Sequence, residues 1–264
     1  MTAFIAACVQ VCSTDDVAEN VAVISPLALE AVERGASLIA LPENAFAMRR
    51  EGQVAESFSV EAHAGVRWAR EFCAQHKVWM LIGSIRAKEA GSDKPFNRSL
   101  VVSPQGMVHA QYDKIHLFDV TLPDGQRYEE SAIMAAGERA VVTDLPWLKL
   151  GMSVCYDLRF ATMYRLMAEE GAALFAVPSA FTRPTGAAHW HTLLRARAIE
   201  NVAYVIAPAQ CGEHPGGRTT YGHSLIVDPW GVVIAEAGDE PSVITAEIDV
   251  ARVAELRRSI PVFG

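Results

Sequence analysis

The 264-residue sequence is poor in cysteine, in basic charge and in long apolar runs. Its five cysteines, Cys8, Cys12, Cys73, Cys155 and Cys211, are too few and too scattered for a disulfide framework. The odd count fits a reducing compartment in which thiols stay free. No pair has the C-x-x-C spacing of a zinc or redox site. The nearest metal-like string, Cys211-Gly-Glu-His214 with His223 beyond it, lacks a second cysteine pair, so no metal is expected. His189-Trp-His191 sends its histidines to different faces of a helix, and a structural role is expected for both. With 23 Lys+Arg against 31 Asp+Glu the net charge is −8, and no basic run occurs. That excludes nucleic acid and anionic lipid surfaces as natural partners. No apolar stretch approaches the roughly 20 residues that cross a bilayer. The first basic residue is Arg34, which argues against a secretory signal and an Arg-rich transit peptide. A cytoplasmic protein is the expectation.

What is present is core-forming material. Hydrophobic residues make up 51% and charged residues 20%, which excludes disorder and collagen-like repeats. A chain of this length buries about three-quarters of its unfolded surface. No repeat or linker-like stretch divides it, and a single domain over 1–264 is expected. Apolar runs at 3–10, 37–43, 78–85, 99–103, 149–157, 173–180, 203–210, 223–228, 231–237 and 242–248 predict strands, several covered on both faces. A further strand is expected at 107–112. Helical spacing occupies 15–34, 60–76, 159–170 and 187–200, the first capped by Ser13-Thr14-Asp15. Surface loops are expected at 123–125 and 215–217, and Pro229-Trp-Gly231 is expected to turn an antiparallel hairpin. Eleven or twelve strands are too many for one ordinary open sheet with helices. Two sheets stacked face to face, with helices on the outer faces, are therefore predicted, a single doubly wound sheet being the alternative.

Three polar residues stand at the ends of apolar runs: Glu43 after SLIALP, Lys114 after the 107–112 strand, and Cys155 after LGMSV. Taken singly, Glu43 caps a turn, Lys114 is solvated and Cys155 is a small core residue. Taken together, a carboxylate, an amine and a thiol are a complete set for nucleophilic catalysis. The carboxylate can take the thiol proton, a step worth roughly 10²–10⁴ in rate. The ammonium can stabilise a developing oxyanion, as can a backbone N–H just after the nucleophile. Gly151-Met-Ser153-Val-Cys155 fails the serine-elbow pattern at its second glycine, and no Cys–His protease signature is present.

LPENAF (41–46), YDKIHLFDV (112–120) and GMSVCYDLRF (151–160) resemble, in order, the three signature blocks of the nitrilase, or carbon–nitrogen hydrolase, superfamily. The likeness continues through FNRSLVVSPQG (96–106), PSAF (178–181), TGAAHW (185–190), LLRARAIEN (193–201), YVIAPAQCGEH (204–214) and YGHSLIVDPWG (221–231). This resemblance implies a four-layer α-β-β-α sandwich that works as a homodimer or higher oligomer, without metal or organic cofactor. It implies Glu43 as general base, Lys114 as oxyanion stabiliser, Cys155 as nucleophile and the Tyr156 N–H as second oxyanion donor. The family's second glutamate matches Glu130, with Glu129 one residue away as the alternative. Within the superfamily the chain looks closest to the Nit1-type amidases, which cleave deaminated glutathione to 2-oxoglutarate and cysteinylglycine. The Nit2-type ω-amidases, acting on α-ketoglutaramate, are the nearest rivals. Either small-molecule substrate carries a carboxylate, for which Arg159 is the candidate partner; a structural pair with Asp157 is its other reading. Phe181 and Thr185 match positions lining the acyl pocket. The chain departs from the family at Ala161, where proline is common, and at Arg183-Pro184, which would reshape the pocket mouth. A noncatalytic interaction protein on the same scaffold, its cysteine kept for packing, is the competing class.

Overall fold

A computed structural model describes residues 3–50, 56–122 and 125–263 of the chain. The first half contains β1 (Ala3–Gln10), α1 (Val17–Glu33), β2 (Ala36–Ala40), α2 (Ala64–His76), β3 (Trp79–Ala87), β4 (Phe96–Val102) and β5 (Val108–Asp113). A short pair, β6 (Asp119–Thr121) and β7 (Arg127–Glu129), precedes β8 (Val141–Asp144), β9 (Lys149–Met152), α3 (Ala161–Glu169) and β10 (Ala172–Ala176). The chain continues through α4 (Arg183–Asn201), β11 (Tyr204–Ala207), β12 (Cys211–Glu213) and β13 (Thr219–Tyr221). It ends with β14 (Leu225–Val227), β15 (Val233–Glu236), β16 (Ser242–Asp249) and α5 (Val250–Ser259).

Two six-stranded sheets carry the fold, in the orders β16-β1-β2-β3-β4-β5 and β15-β14-β11-β10-β9-β8. Each has three parallel strands at its centre, β1–β3 in one and β9–β11 in the other, flanked by antiparallel neighbours. Side-chain alternation explains why both faces are apolar. On β1, Phe4, Ala6 and Cys8 enter the core that reaches across to the second sheet, whereas Ala7 and Val9 pack under α1 and α2. Helices α1 and α2 cover the first sheet and α3 and α4 the second, which makes a four-layer α-β-β-α sandwich rather than one doubly wound sheet. The predicted 223–237 hairpin forms as β14 and β15.

Several boundaries differ from the periodicity. The cap of α1 is Asp16, whose carboxylate accepts from the N–H groups of Ala18 and Glu19, rather than the preceding Ser13-Thr14-Asp15. Helix α2 starts at Ala64, where the His63 ring accepts from Gly65 N–H, and α4 starts four residues early because Pro184 suits a first turn. Helix α5 has no counterpart in the prediction: Val253 is its one buried residue, so no apolar stripe marks it. The expected 149–157 strand stops at Met152, which frees the residues after it for another purpose. Pro123 and Asp124 of the expected 123–125 loop lie outside the described residues.

Candidate active site

Glu43, Lys114 and Cys155 arrive from three separate places and meet. Glu43 follows β2, whose pairing with β3 extends through the Leu41 N–H to the Leu81 carbonyl at 2.9 Å. A Cβ on Gly83 would lie 2.2 Å from the Leu41 and Pro42 carbonyl oxygens, so only glycine lets β3 approach the backbone that delivers Glu43. Lys114 directly follows β5, and Gly137 permits a similar approach there: its Cβ would lie 2.1 Å from the Asp113 oxygen. Cys155 opens a 3-10 turn, Cys155–Arg159, just beyond β9. Its φ of 51° is a left-handed conformation uncommon outside glycine, held by the Cys155 N–H to the Pro178 carbonyl at 2.9 Å.

The ionisable groups interlock. Lys114 Nζ donates to Glu43 Oε1 at 3.2 Å and to Glu130 Oε2 at 2.8 Å. Glu43 Oε2 accepts from the Ala180 N–H at 3.0 Å, and its backbone carbonyl accepts from Gln210 Nε2 at 3.0 Å. The structure brings Glu130, not Glu129, to the lysine; Glu129 pairs with Arg127 on the surface. Burial pulls the Lys114 ammonium down, but the charges of Glu130 and Glu43 outweigh it and hold it above the usual lysine range. Burial pushes Glu130 up, and the Lys114 charge with the bonds from Lys114, Asn97 and the Phe118 N–H carry it below the usual carboxylate range. Burial pushes the Cys155 thiol well up, the Glu43 charge adds to this, and Lys114 offsets only part. Cys155 therefore rests as a thiol, not a thiolate.

Two further residues organise this cluster: Asn97, which the sequence reasoning passed over, and Asp157, which it weighed only as a partner of Arg159. Asn97, in β4, donates from one Nδ2 to Glu43 Oε1 and Glu130 Oε1, both at 2.9 Å. Its own Oδ1 is buried without a partner among the described residues, because the amide must face the two carboxylates. Asp157 is fully buried and accepts from the Val154 N–H, Tyr112 hydroxyl, His116 N–H and His116 Nδ1 at 2.9, 2.7, 3.1 and 2.7 Å. It thus ties the cysteine turn to the segment carrying Lys114, and its acceptor sites are filled without Arg159. The available signal was an asparagine near the head of the strand FNRSLVV (96–102) and a carboxylate two residues past the cysteine.

Glu43, Asn97, Lys114, Glu130 and Cys155 line a cavity of about 360 Å³. Tyr156, Arg159, Phe181 and Thr185 line it as well. The Arg159 guanidinium lies 5.7 Å from the Tyr156 ring centroid and 5.6 Å from that of Phe181, and contacts His189 Nδ1 at 3.3 Å. Thr185 hydroxyl pairs with that of Thr182 at 2.8 Å. Arg183 is exposed, reaches towards Asp239 at 3.8 Å and is not among the lining residues. Of the metal-like string, His214 is spent on the Ser13 carbonyl and the Thr220 hydroxyl at 2.9 and 2.7 Å. His223 instead joins His191 around Glu236 Oε1, both at 3.0 Å, away from this cavity. His189 and His191 do diverge, one towards Arg159 and the other towards Glu236.

Known proteins resemble this chain along nearly its whole length. The carbon-nitrogen hydrolase family profile matches residues 5–258. A deaminated glutathione amidase from Synechocystis is 40% identical over 264 residues, covering 99% of this chain and 97% of its own. The omega-amidase NIT2 of Xenopus tropicalis is 36% identical over 247 residues, covering 92% of this chain and 88% of its own. The crystal structure of the Caenorhabditis elegans NitFhit protein superposes with a TM-score of 0.91 at 36% identity. It covers 100% of this chain, which spans 65% of that longer protein. The chain belongs to the carbon-nitrogen hydrolase family.

Proposed function

We propose that this protein is an amidase that hydrolyses deaminated glutathione to 2-oxoglutarate and cysteinylglycine through a thioester on Cys155. The carrying observation is the charge of the cavity: six cationic side chains and three carboxylates line it, in a chain whose net charge is −8. A site of that sign selects an anionic amide. The 40% identity to a deaminated glutathione amidase supports the same substrate.

The chemistry assigned to the cluster runs in two halves. Because burial and Glu43 keep the thiol protonated, Glu43 takes the proton as sulfur attacks the amide carbonyl carbon. Negative charge develops on the carbonyl oxygen. An ammonium has three N–H donors, and Lys114 uses two on Glu43 and Glu130, leaving the third for this oxyanion. The Tyr156 N–H, near the start of the 3-10 turn where backbone donors lack partners within the turn, is the second donor. Protonated Glu43 then gives its proton to the amine nitrogen as the C–N bond breaks, and the thioester remains. Water attacks the thioester, Glu43 takes its proton, the C–S bond breaks, and Glu43 returns the proton to sulfur. Glu130 orients Lys114 and keeps it charged. Arg159 binds the acyl carboxylate against Tyr156 and Phe181, and Thr185 lines the acyl pocket.

The working form is read as a homodimer or larger homo-oligomer, supported by exposed Leu166, Ile199, Trp230 and Val232 on α3, α4 and the β14–β15 turn. A cytoplasmic location is supported by five unpaired cysteines. No helix among the described residues is long and apolar enough to cross a membrane.

Turnover of deaminated glutathione and α-ketoglutaramate side by side, with Cys155→Ala as control, tests the reading. Cysteinylglycine release with kcat/KM roughly tenfold or more above ammonia release, equal to about 1.4 kcal/mol of transition-state preference, supports it. The reverse ratio makes the protein an ω-amidase with the same catalytic cluster. Turnover surviving in Cys155→Ala removes the thioester, and no turnover of any amide favours the noncatalytic alternative.

A further inference from the structure

The cavity's arginines are not equivalent. Arg127 is paired with Glu129, and elsewhere Arg98 pairs with Asp113 and Glu89, Arg50 with Asp15 and Arg197 with Glu200. Arg159, Arg218 and Arg86 have no carboxylate partner among the described residues. Arg218 is held by the Ala180 carbonyl at 2.9 Å, next to Phe181, and so belongs to the wall that carries Arg159. Arg86 comes from the other side: it lies on β3 of the first sheet, whereas Arg159 follows β9 of the second. No described residue accepts a hydrogen bond from its side chain, and its Nε is shielded from solvent with its donor unspent. Burial and the neighbouring Arg49 charge both work against its cation, and Glu130 opposes them only by charge at a distance. A guanidinium left in that state costs free energy that a bound anion restores.

Arg86 also stands where extra substrate would go. Together with Asn44 and Arg49 it lines both the catalytic cavity and a second space of about 210 Å³. An amide whose amine half is large needs space beyond the reacting centre, and this second space offers it. Resting on the amidase reading above, we infer that Arg86 is a carboxylate subsite for the leaving group, selecting amides whose amine portion ends in a free carboxylate. Arg159 takes the acyl carboxylate from one sheet's wall and Arg86 takes the peptide C-terminal carboxylate from the other's. The guanidinium binds it through two parallel N–H donors, a geometry lysine cannot reproduce. Ammonia, the leaving group of α-ketoglutaramate, has nothing to offer this subsite. Arg86 is thus the residue that separates the dipeptide-releasing reaction from the ammonia-releasing one.

Three substrates test this: deaminated glutathione, its C-terminal glycinamide analogue, and α-ketoglutaramate. Wild-type enzyme is expected to prefer the free acid over the glycinamide by about 10–100-fold in kcat/KM, the range of a charge-assisted contact. In Arg86→Gln that preference falls to within about threefold, through KM, and Arg86→Lys recovers only part of it. A measurement on unaltered protein runs in parallel: cysteinylglycine should inhibit more tightly than cysteinylglycinamide. Equal wild-type turnover of acid and glycinamide, or an equal loss on all three substrates in Arg86→Gln, overturns the subsite and leaves the amidase reading standing. Wild-type turnover of α-ketoglutaramate without turnover of deaminated glutathione overturns the substrate assignment itself, and the subsite with it.

Discussion

Asn97→Leu isolates what the bridge between the two carboxylates contributes. The substitution is close in volume and removes two hydrogen bonds of 2.9 Å, one to Glu43 and one to Glu130. Bonds to charged groups are each worth roughly 1.5–3 kcal/mol, so the gross loss is about 3–6 kcal/mol. The substitution also removes the buried, unpartnered Oδ1, whose desolvation costs about 1–3 kcal/mol. The net destabilisation is therefore about 2.5 kcal/mol at the midpoints of these ranges, within a span of about 0–5, to be read as a shift in urea midpoint at constant slope. Glu43 keeps Lys114 and the Ala180 N–H, so it stays near its place, whereas Glu130 Oε1 loses the Asn97 bond. Loosening of the Lys114 clamp should lower kcat by about 10²-fold, equal to roughly 3 kcal/mol at the barrier. The pH signature separates this from generic damage. Glu130 is held below its ordinary value partly by Asn97, so its contribution to stability is present above its ordinary pKa and is lost as pH falls through its folded-state value. Asn97→Leu must move that loss to higher pH. A variant with kcat within twofold of wild type and an unmoved acid limb of stability would refute the reasoning.

Asp157→Asn should cost about 3–5 kcal/mol and lower kcat without a matching change in KM, because a buried acceptor of four donors becomes partly a donor itself. A stability loss below about 1 kcal/mol by chemical denaturation would show that it does not hold the two segments together. The ultraviolet thiolate band, taken as wild type minus Cys155→Ala, should show no step between about pH 5 and 8, where an activated thiol would titrate. A step in that interval would mean a preformed thiolate and would displace Glu43 from the first proton transfer. Gly83→Ala should destabilise by about 1–3 kcal/mol or more and depress activity further than its loss of folded protein explains, since the new methyl meets backbone oxygens just before Glu43. Thermal unfolding and specific activity at equal folded fraction measure both effects; an unaffected variant would mean that the backbone yields there freely.

The sequence alone carried a good deal of this. Alternation such as Phe4, Ala6 and Cys8 against Ala7 and Val9 is a local property of an extended chain, so strands and their two apolar faces can be read before any contact is known. Placement of Glu43, Lys114 and Cys155 after apolar runs is local too, and the three signature blocks pointed to one chemistry. Glu130 could be told from Glu129 only once the 3-10 turn Glu130–Ala132 set which carboxylate returns to the lysine. The roles of Asn97, Asp157 and Arg86 stayed hidden for a shared reason. What distinguishes these residues is distant partners, 33 and 54 residues away for Asn97 and 41 and 45 for Asp157, or for Arg86 the lack of one among the described residues, and no local pattern encodes that. The protonated state of the cysteine is likewise tertiary, because burial and a neighbouring carboxylate set it and neither is a property of the residue itself.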